Sequence, residues 1–270
     1  MTLQDRVDTL ETGTAKELVA GLLDLPSGLG FRGQARADHL LGSSLVRRLT
    51  SVPASDRRRL EQRIVSDFTN ALGDRGRDAR SALGDVLAIM QHHHAPTRMI
   101  DFSRSPLVAL YFAVVSLAPT DGRIFVIDSE SLLEEWTKEA TRVGRDPQSY
   151  QVLREPTSFQ QKQEENLAIQ ADEVVALPLP YVPSSASDRM RAQSGFFLAE
   201  PLSTDWLDRA GDLGYIASLE IPHAIKLDLL RIVLRTNNGG GTLFPGLDGV
   251  GTEIVERHLA EEQLGLGWDT

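Results

Sequence analysis

Residues 91–118 read QHHHAPTRMIDFSRSPLVALYFAVVSLA. Two unlike halves meet in this stretch. Leu107–Ala118 is apolar nearly all round but shorter than the roughly 20 residues a bilayer span needs, so it predicts a buried central helix. Ser105 stands at its cap and Pro106 at its first position, which is where serine and proline favour a helix start. Ahead of it, residues 91–106 hold three His, two Arg, one Asp and three hydroxyls. Polar groups at the mouth of a buried helix are costly unless satisfied, so they predict a structural or ligand-binding role.

Working outward, residues 3–24 read as one amphipathic helix or two, closing near Pro26. Gly30-Phe31-Arg32-Gly33-Gln34 is short and glycine-bounded, as a strand edge is. Residues 55–72 predict a helix with Ser55 as N-cap and Leu60, Ile64, Val65, Phe68, Ala71 and Leu72 on one face. Residues 79–93 continue helical until Pro96 breaks the pattern. Later apolar runs at 123–127, 174–177, 195–198 and 216–221 read as strands, with turn-rich stretches at 142–148 and 178–188 between them. Helices early and strands late predict an α+β fold rather than a repeated βαβ winding.

The chain has 270 residues, a formal charge of −10 and no cysteine. Cysteine's absence removes disulfides, thiolate metal sites and cysteine nucleophiles. No apolar run is long enough for a membrane span and the first residues carry no secretory pattern, so the expected location is cytoplasmic, with no membrane partner. Charge is uneven: residues 31–104 carry +5, all of the basic groups being arginine, and residues 105–270 carry −12. An acidic whole argues against a broad grip on nucleic acid but leaves room for a local arginine-lined pocket. Arg57 and its neighbours on the 55–72 pattern read as a solvated helix face.

Three islands carry the candidate chemistry. Arg32, beside Gly33 and Gln34, is suited to a phosphate, and Gly33 would allow close backbone approach. Within the second island, Arg98 and Asp101 suit either a ligand or a turn-closing salt bridge, and Arg32 could instead be a strut paired with Asp101. His92 reads as a hydrogen-bonding site residue or a satisfied core histidine. Three consecutive histidines diverge on a helix or a strand, so no metal is expected. The third island, residues 188–198, runs from Asp188 through Arg189, Gln193, Ser194 and Gly195 into an apolar strand. Gly239-Gly240-Gly241 is no phosphate loop, since no G-K-[ST] follows, and is expected to be a turn. No G-x-S-x-G elbow and no aromatic stacking platform is present.

In this order the islands resemble the FRG domain, a bacterial family named for a Phe/Tyr-Arg-Gly motif. The resemblance rests on Phe31-Arg32-Gly33-Gln34; Gln91-His92 with Pro96-Thr97-Arg98 and Asp101; Ser105-Pro106 with Ala109–Ala113; Arg189 with Gln193–Phe197; and Leu243–Asp248. It covers about residues 28–255, leaving 1–27 as an N-terminal helical segment and 256–270 as a tail. His94 stands where the family has glycine, which is expected to alter the turn before Pro96, and Phe102 and Ser103 replace Trp and Thr.

The family is similar in motif order to ADP-ribosyltransferases. That similarity implies a small curved or split sheet with packed helices, NAD as substrate and no metal. It also implies a toxin or phage-defence effector with an unknown macromolecular acceptor and an inhibitor or antitoxin protein. Carried over, Arg32 would hold the pyrophosphate or proximal ribose with Arg98, Gly33 and Gln34. Ser103 or Ser105 would fill the hydroxyl position and Gln193 the late one. An amide cannot take a proton, so Asp101 or His92 would do acid–base work, or the site would only bind. A non-catalytic nucleotide- or partner-binding module and a nucleic-acid-processing enzyme using the His/Asp cluster are the alternatives.

Overall fold

The computed structural model describes residues 2–73, 82–116, 119–144, 163–167, 170, 175, 177–184, 187–202, 206–207 and 214–264. Its centre is an antiparallel six-stranded sheet of β1 (Leu29–Gln34), β2 (Met99–Ser103), β3 (Gly122–Asp128), β4 (Leu179–Tyr181), β5 (Gly195–Ala199) and β6 (Ile216–Ile221), in the order β4-β5-β2-β1-β3-β6. With helices α1 (Leu3–Asp8), α2 (Ala15–Leu23), α3 (Ser44–Arg48), α4 (Ala54–Leu72), α5 (Leu83–His92), α6 (Pro106–Val114) and α7 (Ser129–Arg142) in the first half, the fold is α+β. After β4 come the short α8 (Asp188–Ala192), then α9 (Lys226–Arg235), α10 (Gly240–Leu243) and α11 (Leu247–Leu264).

α6 is the predicted buried helix, with Val108, Ala109, Leu110, Tyr111, Ala113 and Val114 all in the core. It lies directly on β1. A Cβ at Gly33 would sit 1.7 Å from the Ala109 carbonyl oxygen, so only glycine permits this helix–strand approach. The glycine of the Arg-Gly motif therefore admits the backbone of α6. Ser105 is the N-cap, but its side chain makes no capping bond. Instead the Ser105 amide donates to the Ser103 hydroxyl at 2.9 Å.

The sheet separates two apolar layers. Leu29, Phe31, Ile124 and Val126 pack with α2, α6 and α9, whereas Ile100, Phe102, Phe125, Ile127, Phe196 and Leu198 pack on the other side with Trp206. β1 pairs with β3 along its whole length, and β2 with β5 from end to end. β1 and β2 register only where Phe31 faces Ser103. The two middle strands thus part beyond that point, and the gap between them seats the site.

Several expectations need correction. Strands are not mainly late: three of the six, β1, β2 and β3, come from the first half of the chain. β2 and β4 arise where the sequence pattern gave no strand, and β4 falls in the stretch read as turns. The N-cap of α4 is Pro53, with no side-chain capping bond, rather than Ser55, and its buried residues are Arg57 and Glu61. Arg57 is no surface decoration: its guanidinium donates to the carbonyls of Val52 at 2.9 Å and Leu202 at 2.8 Å. Gly240–Leu243 is a helical turn, and α11 runs unbroken across residue 256. Of the expected strand at 174–177, Val175 and Leu177 are buried but lie in no strand, and 174 and 176 fall outside the described residues, as do the first residues of the 79–93 helix.

Candidate functional site

The parted strands place Arg32 opposite Asp101. Arg32 Nη1 donates to the Asp101 main-chain carbonyl at 2.8 Å, taking the place of a ladder bond, and lies 3.7 Å from Asp101 Oδ2. The Arg32 side chain is 23% exposed, its Nε has no hydrogen-bond partner among the described residues, and burial depresses its pKa against the pull of Asp101. The Asp101 carboxylate is 62% exposed. Gln91 Nε2, at the end of α5, donates to it at 2.8 Å. Gln91 Oε1 in turn accepts a short bond from the Thr97 hydroxyl, and that hydroxyl accepts the Met99 amide at 3.2 Å. The α5–β2 connection is thereby latched, and Asp101 is held at the lip of the gap.

Across β2, the Ser103 hydroxyl donates to the Gln193 main-chain carbonyl at 2.7 Å. Gln193 closes α8, where Ser194 takes φ 47° to turn the chain into β5. Gln193 Nε2 donates to the Leu243 carbonyl at 3.0 Å. The amide is therefore pinned to α10.

Arg32, Gly33, Asp101, Ser103, Arg189 and Gln193 line one cavity of about 170 Å³. A second, of about 320 Å³, shares Asp101, Phe102, Arg189 and Gln193 and adds Gln91, His92 and His94. A third, about 1000 Å³, shares His92, His94, Phe112 and Arg189 and runs between α6 and α11. The shared walls make one continuous cleft. Asp101 is the sole carboxylate among the described residues lining its two inner chambers.

The structure brings Arg32, Gly33, Asp101, Ser103 and Gln193 together, with His92 exposed on the outer rim. It sets three expected residues aside. Arg98 is fully buried: Nε lies 3.0 Å from Glu61 Oε1, Nη1 donates to Gln170 Oε1 at 2.8 Å and Nη2 to the Leu167 carbonyl at 3.2 Å. It can neither grip a ligand nor pair with Asp101. Gln34 and Ser105 line none of the three chambers. In the turn before Pro96, His94 adopts φ 61°, a left-handed backbone that costs a non-glycine residue on the order of 1 kcal/mol.

Arg189 was named in the third island and in the resemblance, but sequence reasoning gave it no role in the site. It lines all three chambers, is exposed, and lies over the Phe244 ring at 4.7 Å with no carboxylate partner among the described residues. The signal available in the sequence was its place four residues before Gln193, one helical turn away.

Among the described residues there is no group of three or more His, Asp or Glu placed to hold a metal ion, and no helix long and apolar enough to cross a membrane. No curated protein and no solved structure matches the chain. Residues 27–122 match the family model described as the FRG domain. That segment carries Arg32, Gly33, Gln91, His92, Asp101 and Ser103, while Arg189 and Gln193 lie beyond it: the chain carries an FRG domain within residues 27–122.

Proposed function

We propose that the cleft binds NAD and breaks its nicotinamide–ribose bond, so that the protein is an ADP-ribosyltransferase-like effector acting on the cell's own nucleotide pool. The observation that carries this reading is the convergence of two arginines, one carboxylate and one fixed amide on a single cleft from three distant parts of the chain. Arg32 and Arg189 supply cationic donors for the pyrophosphate. Phe112 and Phe244 offer apolar ring surface beside Arg189. As the C1′–N bond breaks, its electron pair leaves with neutral nicotinamide and the ribose gains oxocarbenium character. Asp101, the lone inner carboxylate, supplies negative charge where positive charge develops. A nucleophile of the acceptor, or water, then attacks C1′ and gives up its proton to Asp101 or to solvent. An enzyme that drains or attaches ADP-ribose in this way suits a toxin or phage-defence role held in check by an inhibitor protein.

One observation favours a purely binding role. The Gln193 amide is tied to Leu243 and cannot accept a proton, and Asp101 already accepts a bond from Gln91.

Incubation of intact protein, Arg32→Lys and Asp101→Asn with NAD labelled in the adenylate half separates the readings. The transferase reading expects nicotinamide release by the intact protein, with or without label on protein, RNA or DNA, and at least a hundredfold loss in both variants. NAD-dependent thermal stabilisation without release establishes the binding module. Neither stabilisation nor release refutes both.

A further inference from the structure

The outer chamber of the cleft has a composition unlike the inner two. Its walls are Tyr111, Phe112 and Val115 of α6 and its continuation, Phe244 and Pro245, and Val255 and Leu259 of α11. Val255 is 57% and Leu259 47% exposed. Leu247, Val250 and Ile254 of the same helix are also exposed but lie outside the groove's lining. Large apolar side chains exposed in a groove mark an interaction site. Its ionisable groups are also distinctive. Asp248 lines the groove as an exposed carboxylate, whereas Glu256 is buried in its wall and accepts the Tyr111 hydroxyl at 2.6 Å; the single fixed cation, Arg189, stands at the end shared with the inner chambers. A nucleic-acid track needs a run of basic groups along its length, and the groove has none among the described residues.

We propose that the groove between α6 and α11 is the acceptor site, and that its occupant is a polypeptide segment carrying apolar side chains beside a lysine or arginine. The role as acceptor site rests on the reading of the inner chambers as an NAD site. Continuity of the walls through His92, His94 and Arg189 leads a side chain lying in the groove toward the parted strands. The apolar walls suit Leu-, Ile- or Phe-type residues, and the exposed Asp248 suits the cationic neighbour. Arg189 lies between the two ligands, touching the chamber of each.

Fluorescence anisotropy with the intact protein tests the groove directly. The probes are two labelled 16-residue peptides of the same amphipathic pattern, one built from Leu and Lys and one from Leu and Glu, and a 20-nucleotide single-stranded RNA. The Leu/Lys peptide is expected to bind at least tenfold tighter than the other two, and the double variant Val255→Arg/Leu259→Arg to weaken it at least tenfold. Both positions are exposed, so the variant folds, and an unchanged thermal midpoint checks this. Equal binding of the two peptides, preference for RNA, or affinity unmoved by the double variant overturns the proposal. The peptide readout involves no NAD. A chain that releases nicotinamide but shows no peptide preference refutes the groove alone. A chain that prefers the Leu/Lys peptide but does not bind NAD refutes the reading of the inner chambers and, with it, the acceptor role.

Discussion

Replacement of Arg98 by methionine should unfold the protein's support rather than empty its cleft. The guanidinium is wholly buried, and the Glu61 side chain it faces is only 4% exposed. Methionine fills much the same volume with a flexible apolar chain, so the cavity term is small. What remains is the Glu61 carboxylate without its cation, together with Gln170 Oε1 and the Leu167 carbonyl without their donors. Breaking a buried ion pair from one side costs about 3–5 kcal/mol. The two neutral acceptors overlap that figure rather than add to it, since they share the same lost group. At roughly 2–4 °C per kcal/mol for a chain of this size class, the midpoint should fall by about 6–20 °C. Differential scanning calorimetry measures the drop. The double variant Arg98→Met/Glu61→Leu should recover at least half of it, because the stranded charge is then gone. A stable Arg98→Met protein that has lost only NAD affinity would refute this account and return Arg98 to the ligand.

Three further perturbations follow from the same geometry. Gly33→Ala forces a carbon–oxygen approach of 1.7 Å out toward about 3.3 Å, which moves α6 off β1; a loss of about 3 kcal/mol or more is expected in urea melts, and a neutral result would place α6 elsewhere. Arg189→Ala should leave the thermal midpoint within about 2 °C, given its exposure, but weaken ADP-ribose binding roughly tenfold to a hundredfold, as expected for a charged hydrogen bond worth about 1.5–3 kcal/mol; equal affinity in a calorimetric titration would exclude it from the cleft. Glu200 is 3% exposed, and burial raises its pKa despite bonds accepted from the Ser43 amide and the Trp206 indole. The folded state therefore holds this proton more tightly than the unfolded one, and Glu200 favours folding less as pH rises above about 4.5. The stability of the intact protein relative to Glu200→Gln should accordingly increase between pH 7.5 and pH 5; a difference independent of pH would contradict the linkage.

Much of the site was legible because punctuation marks the segments that carry its residues. Pro96 and Ser105-Pro106 bracket the segment that holds Asp101, and Gly30 and Gly33 flag the strand that carries Arg32. α6 was legible because an apolar run of its length has no place but the core. The partners of Arg98 were not, since Glu61 and Gln170 are brought to it by tertiary packing that no local spacing encodes. β2 hid behind alternation too short to count, Met99-Ile100-Asp101-Phe102-Ser103, and β4 behind Pro180 at the sheet edge, where a missing amide is tolerated. α10 reads as a turn because two of its four residues are glycine. Its fit depends on the neighbouring helix: Glu253 Oε2 accepts the Gly241 amide at 2.7 Å. Freedom of approach at Gly33 was inferred correctly, but that α6 supplies the approaching backbone depends on tertiary packing that local sequence does not encode.

Calorimetric titration of NAD into the intact protein and into Arg32→Lys tests the central claim most directly. The substitution keeps the positive charge and removes the planar fork that spans the two parted strands. The account predicts saturable binding of one NAD per chain, weakened at least tenfold by the lysine. Absence of binding to the intact protein, or the same affinity in both, would contradict it.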